Sequence, residues 1–288
     1  MKIPTHWSKA TVEDADRDGQ KRTISCWRSS DQSAAEAHES ALAAAKRLLQ
    51  RLAGGNRPDH YGYGSGPLRE EVIERFAGEQ GELYAAVTRN ASGSLVLNTS
   101  RAMFVDVDFP PTGPGEELKH FFARLFNRST QSPDAKREQD AKGRLERYVG
   151  DFPGWGFRVY RTFAGLRALA THDLFDPASE AALGAFESLG ADPLYVRLCK
   201  AQECFRARLT PKPWRCGHCA NTIRWPREEA EQQARFEQWL AEYKSSRAGY
   251  ATCRFLGAIG NGAVHPEIER IIELHDTITR CHEPGELA

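Results

Sequence analysis

Apolar positions recur along this chain in two periods, and the changes of period mark out its elements. Behind Ser33-Ala-Ala-Glu36, which has the spacing of a helix-capping box, Ala34, Ala37, Ala41, Ala44, Ala45, Leu48, Leu49 and Leu52 fall at helical intervals up to Gly54-Gly55. This small-residue face predicts a helix lying close on a sheet. After the glycine-rich loop Tyr61-Gly-Tyr-Gly-Ser-Gly66, Pro67 opens a second predicted helix in which Leu68, Val72 and Phe76 share a side. Residues 83–89 and 94–98 read as strands joined by the turn Asn90-Ala-Ser-Gly93, and 157–162 and 166–171 as a second hairpin around Phe163-Ala-Gly165. Further strands are expected over 22–27, 204–211 and 252–259. Helices are expected over 177–189, 192–200 and 226–243, the last anchored by Phe236, Trp239 and Leu240. A final helix starts at Pro266, with Ile268, Ile271, Ile272, His275 and Ile278 on one face; His275 reads as a hydrogen-bonded core residue.

Between these lie less regular stretches. The first 22 residues are a polar lead-in, expected to be poorly ordered. A Pro/Gly loop at 110–115 leads to a helix through Phe121, Phe122, Leu125 and Phe126, and residues 128–147 are polar enough to be an exposed helical excursion serving as a lid. Strands and helices mixed in this order predict an α+β fold, a sheet with helices packed against it. The predicted division is a lead-in (1–22), a catalytic-type core (23–215) and a mainly helical C-terminal extension (216–288).

Composition narrows the function classes. Lys plus Arg and Asp plus Glu number 39 each in 288 residues, which excludes a strongly basic coat protein and shifts attention to local patches. No apolar run reaches membrane-spanning length and the N-terminus has no apolar signal region, so no membrane partner is expected and the predicted location is the cytoplasm. Seven cysteines without secreted-type spacing read as reduced thiols.

The candidate chemistry centres on Met103-Phe-Val-Asp-Val-Asp-Phe-Pro110. Strand alternation puts Met103, Val105, Val107 and Phe109 on one face and Asp106 with Asp108 on the other. Two carboxylates side by side repel unless a cation answers them, and Mg²⁺ is commonly held by one or two carboxylates plus substrate phosphates. A third acid is expected to complete such a site. Asp192 is the first candidate, with Asp173 and Asp176 as alternatives.

A second signal is a basic stretch. From Arg197 to Arg227 the chain carries Arg197, Lys200, Arg206, Arg208, Lys212, Arg215, Arg224 and Arg227 against the single acid Glu203. Arg206 and Arg208 alternate onto one strand face and Lys212 lies just beyond, suited to phosphate. His172 is a further candidate phosphate contact. Cys216-Gly-His-Cys219 is half of a zinc knuckle, to which Cys199 and Cys204 would add the other half; loose thiols are the competing reading.

Taken together, Phe-Val-Asp106-Val-Asp108, Thr162-Phe-Ala-Gly165-Leu-Arg167, Asp192 and Phe205-Arg-Ala-Arg-Leu-Thr-Pro-Lys-Pro213 resemble the archaeo-eukaryotic primase superfamily over about residues 80–215. The resemblance implies an RNA-recognition-like sheet packed on a second α/β unit. It also implies template-directed nucleotidyl transfer from nucleoside triphosphates with Mg²⁺ or Mn²⁺, in DNA replication or repair. The chain departs from the family pattern where a small-x-His motif is expected. It has Gly165-Leu-Arg167 there, and Ala170-Thr-His172 offers the pattern one strand later, so Arg167 or His172 would take the phosphate role. Two other readings stand beside it: a non-catalytic nucleic-acid-binding protein with a degenerate primase-like fold, and a sugar-nucleotide transferase, since those enzymes also use an Asp-x-Asp element.

Overall fold

The computed structural model describes residues 1–15, 21–53, 67–78, 81–109 and 133–288. The chain opens with an antiparallel pair, β1 (His6–Ala15) and β2 (Lys21–Ser30), on which α1 (Ala34–Ala53) packs. The polar lead-in expected at 1–22 is thus largely a strand. Its polar residues face water, while Ala10 on β1 and Ile24 on β2 are buried along with Ala37, Ala41, Ala44 and Ala45 of α1. The capping box closes differently from its usual form. Ser33 Oγ accepts from Glu36 N at 3.1 Å, but the Glu36 carboxylate accepts from Ser30 Oγ at 2.5 Å.

Next come β3 (Glu71–Ala77), β4 (Leu83–Arg89) and β5 (Leu95–Thr99). The helix expected after Pro67 is the strand β3. The spacing of Leu68, Val72 and Phe76 is four residues, which is a multiple of the strand period as well as one helical turn, so it does not separate the two. Val72 and Ile73 add β-branched bulk, and β3 is a bulged edge strand carrying Glu71, Glu74 and Arg75. The β4–β5 hairpin forms as expected, with Asn90 Oδ1 accepting from Ser92 N and Ser94 N at 3.1 Å each. Gly93 completes it at φ +98°, where a Cβ would also meet the Trp239 ring at 2.0 Å.

The chain then crosses to a second sheet through β6 (Phe104–Asp108). The loop at 110–115, the helix through Phe121 to Phe126 and the glycine loop at 61–66 lie outside the described residues. From Pro133 the expected excursion is α2 (Pro133–Asp151), and it is seated rather than free: Ala141, Leu145 and Tyr148 are buried in the core at helical spacing. β7 (Gly156–Thr162) and β8 (Gly165–Ala170) form the second hairpin, followed by α3 (Glu180–Leu189), α4 (Pro193–Gln202), β9 (Phe205–Arg208) and a 3-10 turn, Pro213–Arg215. The C-terminal stretch holds α5 (Ala230–Ser246), β10 (Tyr250–Ala251), β11 (Cys253–Gly260), α6 (Pro266–Thr279) and β12 (Glu286–Leu287). It is only partly helical, because β11 completes a sheet of the core.

The α+β class therefore holds, built on two four-stranded antiparallel sheets ordered β3-β4-β5-β9 and β11-β7-β8-β6. β10 and β12 make a short parallel pair. β9 and β6 are edge strands of the two sheets and lie beside each other. Tyr195 of α4 bridges them, its hydroxyl donating to Phe104 O at 2.8 Å and accepting from Arg206 N at 3.4 Å. One apolar core runs through both sheets, including Leu97 and Phe205 from the first, Phe104, Tyr160 and Leu169 from the second, and Phe186, Leu189 and Ile268 from the helices. Among the described residues no helix is long and apolar enough to cross a membrane, and all seven cysteines are free thiols.

The Tyr195 bridge has a measurable consequence. Tyr195→Phe removes the hydroxyl and leaves the buried Phe104 carbonyl without it, so urea unfolding should show a loss of about 1 to 3 kcal/mol. An unchanged midpoint would show that the bridge contributes nothing to the seam.

Candidate active site

The edge-to-edge seam opens into a cavity of about 740 Å³, lined by several of the candidate residues. Strand β6 supplies Asp106 and Asp108. Each has a cross-strand partner on β8: Arg167 opposite Asp106, and Gly165 opposite Asp108. A Cβ at Gly165 would stand 2.0 Å from Val107 O, so the close backbone approach requires glycine and leaves no side chain facing Asp108 from that position. Asp192 arrives from the N-cap of α4, its Oδ2 accepting from Tyr195 N at 2.9 Å, while its own N–H donates to Asp106 O at 2.9 Å. The three acids predicted to act together all line the cavity. Asp173 and Asp176 do not; both are exposed and cap local turns.

The electrostatics around these acids are crowded. The Asp108 carboxyl is raised above the usual range by burial in the cleft and by the Asp106 and Asp192 carboxylates, with Lys212 and Arg208 pulling the other way. The oxygens of the three acids do not all lie within 4.8 Å of one another. Among the described residues the one group of that closeness is Asp276, Cys281 and His282, beyond the seam. There Asp276 is already held by Arg158 at 2.6 Å and by His275 at 2.9 Å.

Arg167 corrects one expectation. It edges the cavity but is only 3% exposed, and its nitrogens are committed. Nε and Nη2 donate to Asp106 Oδ1 and Oδ2 at 2.8 and 3.3 Å, and Nη1 donates to Arg208 O at 2.9 Å. Nη1 also faces His275 Nε2 at 3.4 Å. That nitrogen therefore accepts, which leaves Nδ1–H for Asp276 Oδ1 and makes His275 a neutral imidazole, consistent with burial lowering its pKa. Burial would lower the Arg167 pKa, but the Asp106 pair more than offsets it and the guanidinium stays charged. Arg167 is a structural counter-ion rather than a phosphate ligand.

The same cavity is lined by Arg208, Lys212 and Arg215. No hydrogen bond or ion pair among the described residues engages the Arg208 guanidinium or the Lys212 ammonium. Burial, then the neighbouring Arg167, pushes Arg208 down to about 10; burial, then Arg208 and Arg215, pushes Lys212 down to about 8. Cations held this close without a partner form a site for an anion.

Six other expected site residues have structural roles or do not come together. Arg206 shares its strand face with Arg208 but is consumed by Glu70, at 2.8 and 3.0 Å, and by Asn98 Oδ1 at 2.6 Å, forming a buried polar network with Thr88. His172 Nδ1 accepts from Gly156 N at 3.2 Å, and its ring packs on Trp155 and Phe175; it has a structural role. Cys199, Cys204, Cys216 and Cys219 do not assemble into a zinc site. No three of them bring their sulfurs within 4.8 Å, Cys219 is exposed, and burial raises Cys199 and Cys204 to about 12 and 11. The sequence reading missed Arg215 as a site member, although it lies in the basic stretch. It also missed the cavity-lining Phe163 and Trp214, whose exposure has no periodic signature.

No protein-family model, no curated protein and no solved structure matches this chain.

Two measurements follow. Arg167→Met should cost about 3 to 5 kcal/mol in chemical denaturation, since it strands Asp106 against the seam, and Asp106→Asn in the same chain should recover part of that loss. Lys212 gives a pH signature. An anion bound beside it raises its pKa, so binding takes up protons above about pH 8 and weakens as pH rises. Affinity for inorganic triphosphate, measured by calorimetry between pH 7 and 9, should fall more steeply for the native chain than for Lys212→Met.

Proposed function

We propose that this cleft binds a nucleoside triphosphate with a divalent cation and transfers its nucleotidyl group to a hydroxyl of a nucleic-acid strand, in the manner of a primase-polymerase. The observation that carries the reading is that three carboxylates and the cations Arg208 and Lys212, which make no hydrogen bond or ion pair among the described residues, line one cavity. A ligand bearing both a metal and a polyphosphate answers both sets of charges at once.

Asp108 and Asp192, with the side of Asp106 not taken by Arg167, are the residues that would hold Mg²⁺ or Mn²⁺. The raised Asp108 carboxyl is what a cation would relieve, and the donor set is the oxygen-only kind these ions prefer. When bound, the ion would supply charge neutralisation on the phosphates. The protein's own part is to orient and to move protons. Arg208, Lys212 and Arg215 hold the β- and γ-phosphates as negative charge builds on them. The hydroxyl oxygen forms a bond to the α-phosphorus, the α–β bridging bond breaks, and pyrophosphate leaves. The hydroxyl proton goes to solvent, and Lys212, lowered to about 8 by burial and by Arg208 and Arg215, gives its proton to the departing pyrophosphate. Free thiols throughout suit a cytoplasmic setting.

A second reading has its own support. The Arg167 guanidinium already answers Asp106, as a metal would, which fits a non-catalytic nucleic-acid-binding protein that keeps the cleft without the chemistry.

The test is Mg²⁺- and Mn²⁺-dependent incorporation of labelled nucleoside triphosphates on a single-stranded template. The native chain is compared with an Asp106→Asn, Asp108→Asn variant whose circular dichroism is native. Incorporation by the native chain, reduced at least about a thousandfold in the variant, is expected for loss of the charged metal ligands. Template binding by both proteins with incorporation by neither would replace the catalytic reading with the binding one.

A further inference from the structure

The transfer chemistry leaves one side of the cleft unused. Among the described residues, Phe163, Leu194 and Trp214 are large apolar side chains that stand exposed, at 50%, 39% and 54%, and all three line this one cavity. Scattered exposed apolar residues are ordinary, but a group of them at the mouth of a charged cleft marks a surface kept open for a ligand.

Their placement specifies what kind. Phe163 sits at the tip of the β7–β8 hairpin, two residues before Gly165, the register partner of Asp108. Trp214 follows Lys212 in the 3-10 turn. Both rings are tied to basic side chains: the Arg215 guanidinium lies over Phe163 at 4.1 Å, and Lys212 Nζ is 5.5 Å from the Trp214 ring centre. Flat apolar surface is thus placed beside the cations Lys212 and Arg215. A polyphosphate alone has no use for such a surface. A nucleobase does, because every base has a π-face that stacks on an aromatic ring.

We propose that Trp214 and Phe163 form a stacking ledge for the base of the nucleotide whose phosphates lie on Arg208 and Lys212. This rests on the nucleotide reading of the cleft and adds the part of the substrate that is recognised. Stacking reads a base's face and not its hydrogen-bonding edge, so the ledge accepts purines and pyrimidines alike and leaves base selection to another element.

The experiment measures ATP and inorganic triphosphate binding by calorimetry in Mn²⁺ buffer for the native chain, Trp214→Ala, Phe163→Ala and Lys212→Met. The native chain should bind ATP roughly tenfold or more tightly than triphosphate. Trp214→Ala should bring ATP down toward the triphosphate value without changing triphosphate, Phe163→Ala should do the same more weakly, and Trp214→Phe should restore most of the difference. Lys212→Met should weaken both ligands. Equal native affinities for ATP and triphosphate, or Trp214→Ala weakening both alike, would overturn the ledge while leaving the phosphate site standing. Failure of the native chain to bind either ligand would overturn the nucleotide reading itself, and the ledge with it.

Discussion

The structure turns on one buried guanidinium. Arg167 projects from β8 into the seam between two sheets, and its nitrogens reach a carboxylate on β6, a backbone carbonyl on β9 and a histidine on α6. A charge so thoroughly removed from water is tolerated only when its donors are met, and here they are met by groups from three different elements. The result is less a gain in stability than a fixed geometry. The Asp276–His275–Arg167–Asp106 chain admits one protonation arrangement, with His275 neutral, and that arrangement sets where the edge of β6 lies. Tyr195 closes the same seam from the other side. Asp106 and Asp108 stand at the cleft on a strand edge tied to its neighbour through Arg167 and Tyr195.

On this rigid base the cleft keeps like charges together. Asp108 is pushed toward its neutral form by burial and by two other acids, while Arg208 is pushed toward its own by burial and Arg167, and Lys212 by burial, Arg208 and Arg215. The acids and the cations offset each other only in part, so burial and like charges still set the direction of each shift. Such an arrangement costs folding stability and is retained at sites whose ligand supplies the missing charges. Arg206, two residues from Arg208 on the same strand face, shows the contrasting case: a cation claimed by an acid, Glu70, and absent from the cavity lining.

That contrast also measures what could be read in advance. Strand alternation correctly placed Arg206 and Arg208 on one face, but it could not say that Glu70, from a stretch whose four-residue spacing suits helix and strand equally, would reach back over the sheet to claim only the first. Asp106 and Asp108 were legible because a period of two in an apolar run is a local fact. Asp192 was legible as the first of three candidate acids, and a backbone hydrogen bond from its own N–H to the Asp106 carbonyl is what ties it to that strand. The cysteine spacing suggested zinc, yet Cys199 and Cys204 are packed as small apolar groups, well away from any shared centre.

Local periodicity and turn chemistry, which depend on residues within a few positions of each other, determined the hairpins at Asn90–Gly93 and Phe163–Gly165, the capped α1, the paired aspartates and the basic stretch. The tertiary structure decided which of those charges remain available. Whether an arginine is a counter-ion or a ligand depends on the partners that distant segments bring to it. Burial then multiplies the energetic difference, because in a poorly hydrated seam an unmet charge is costly and a met one is immobile.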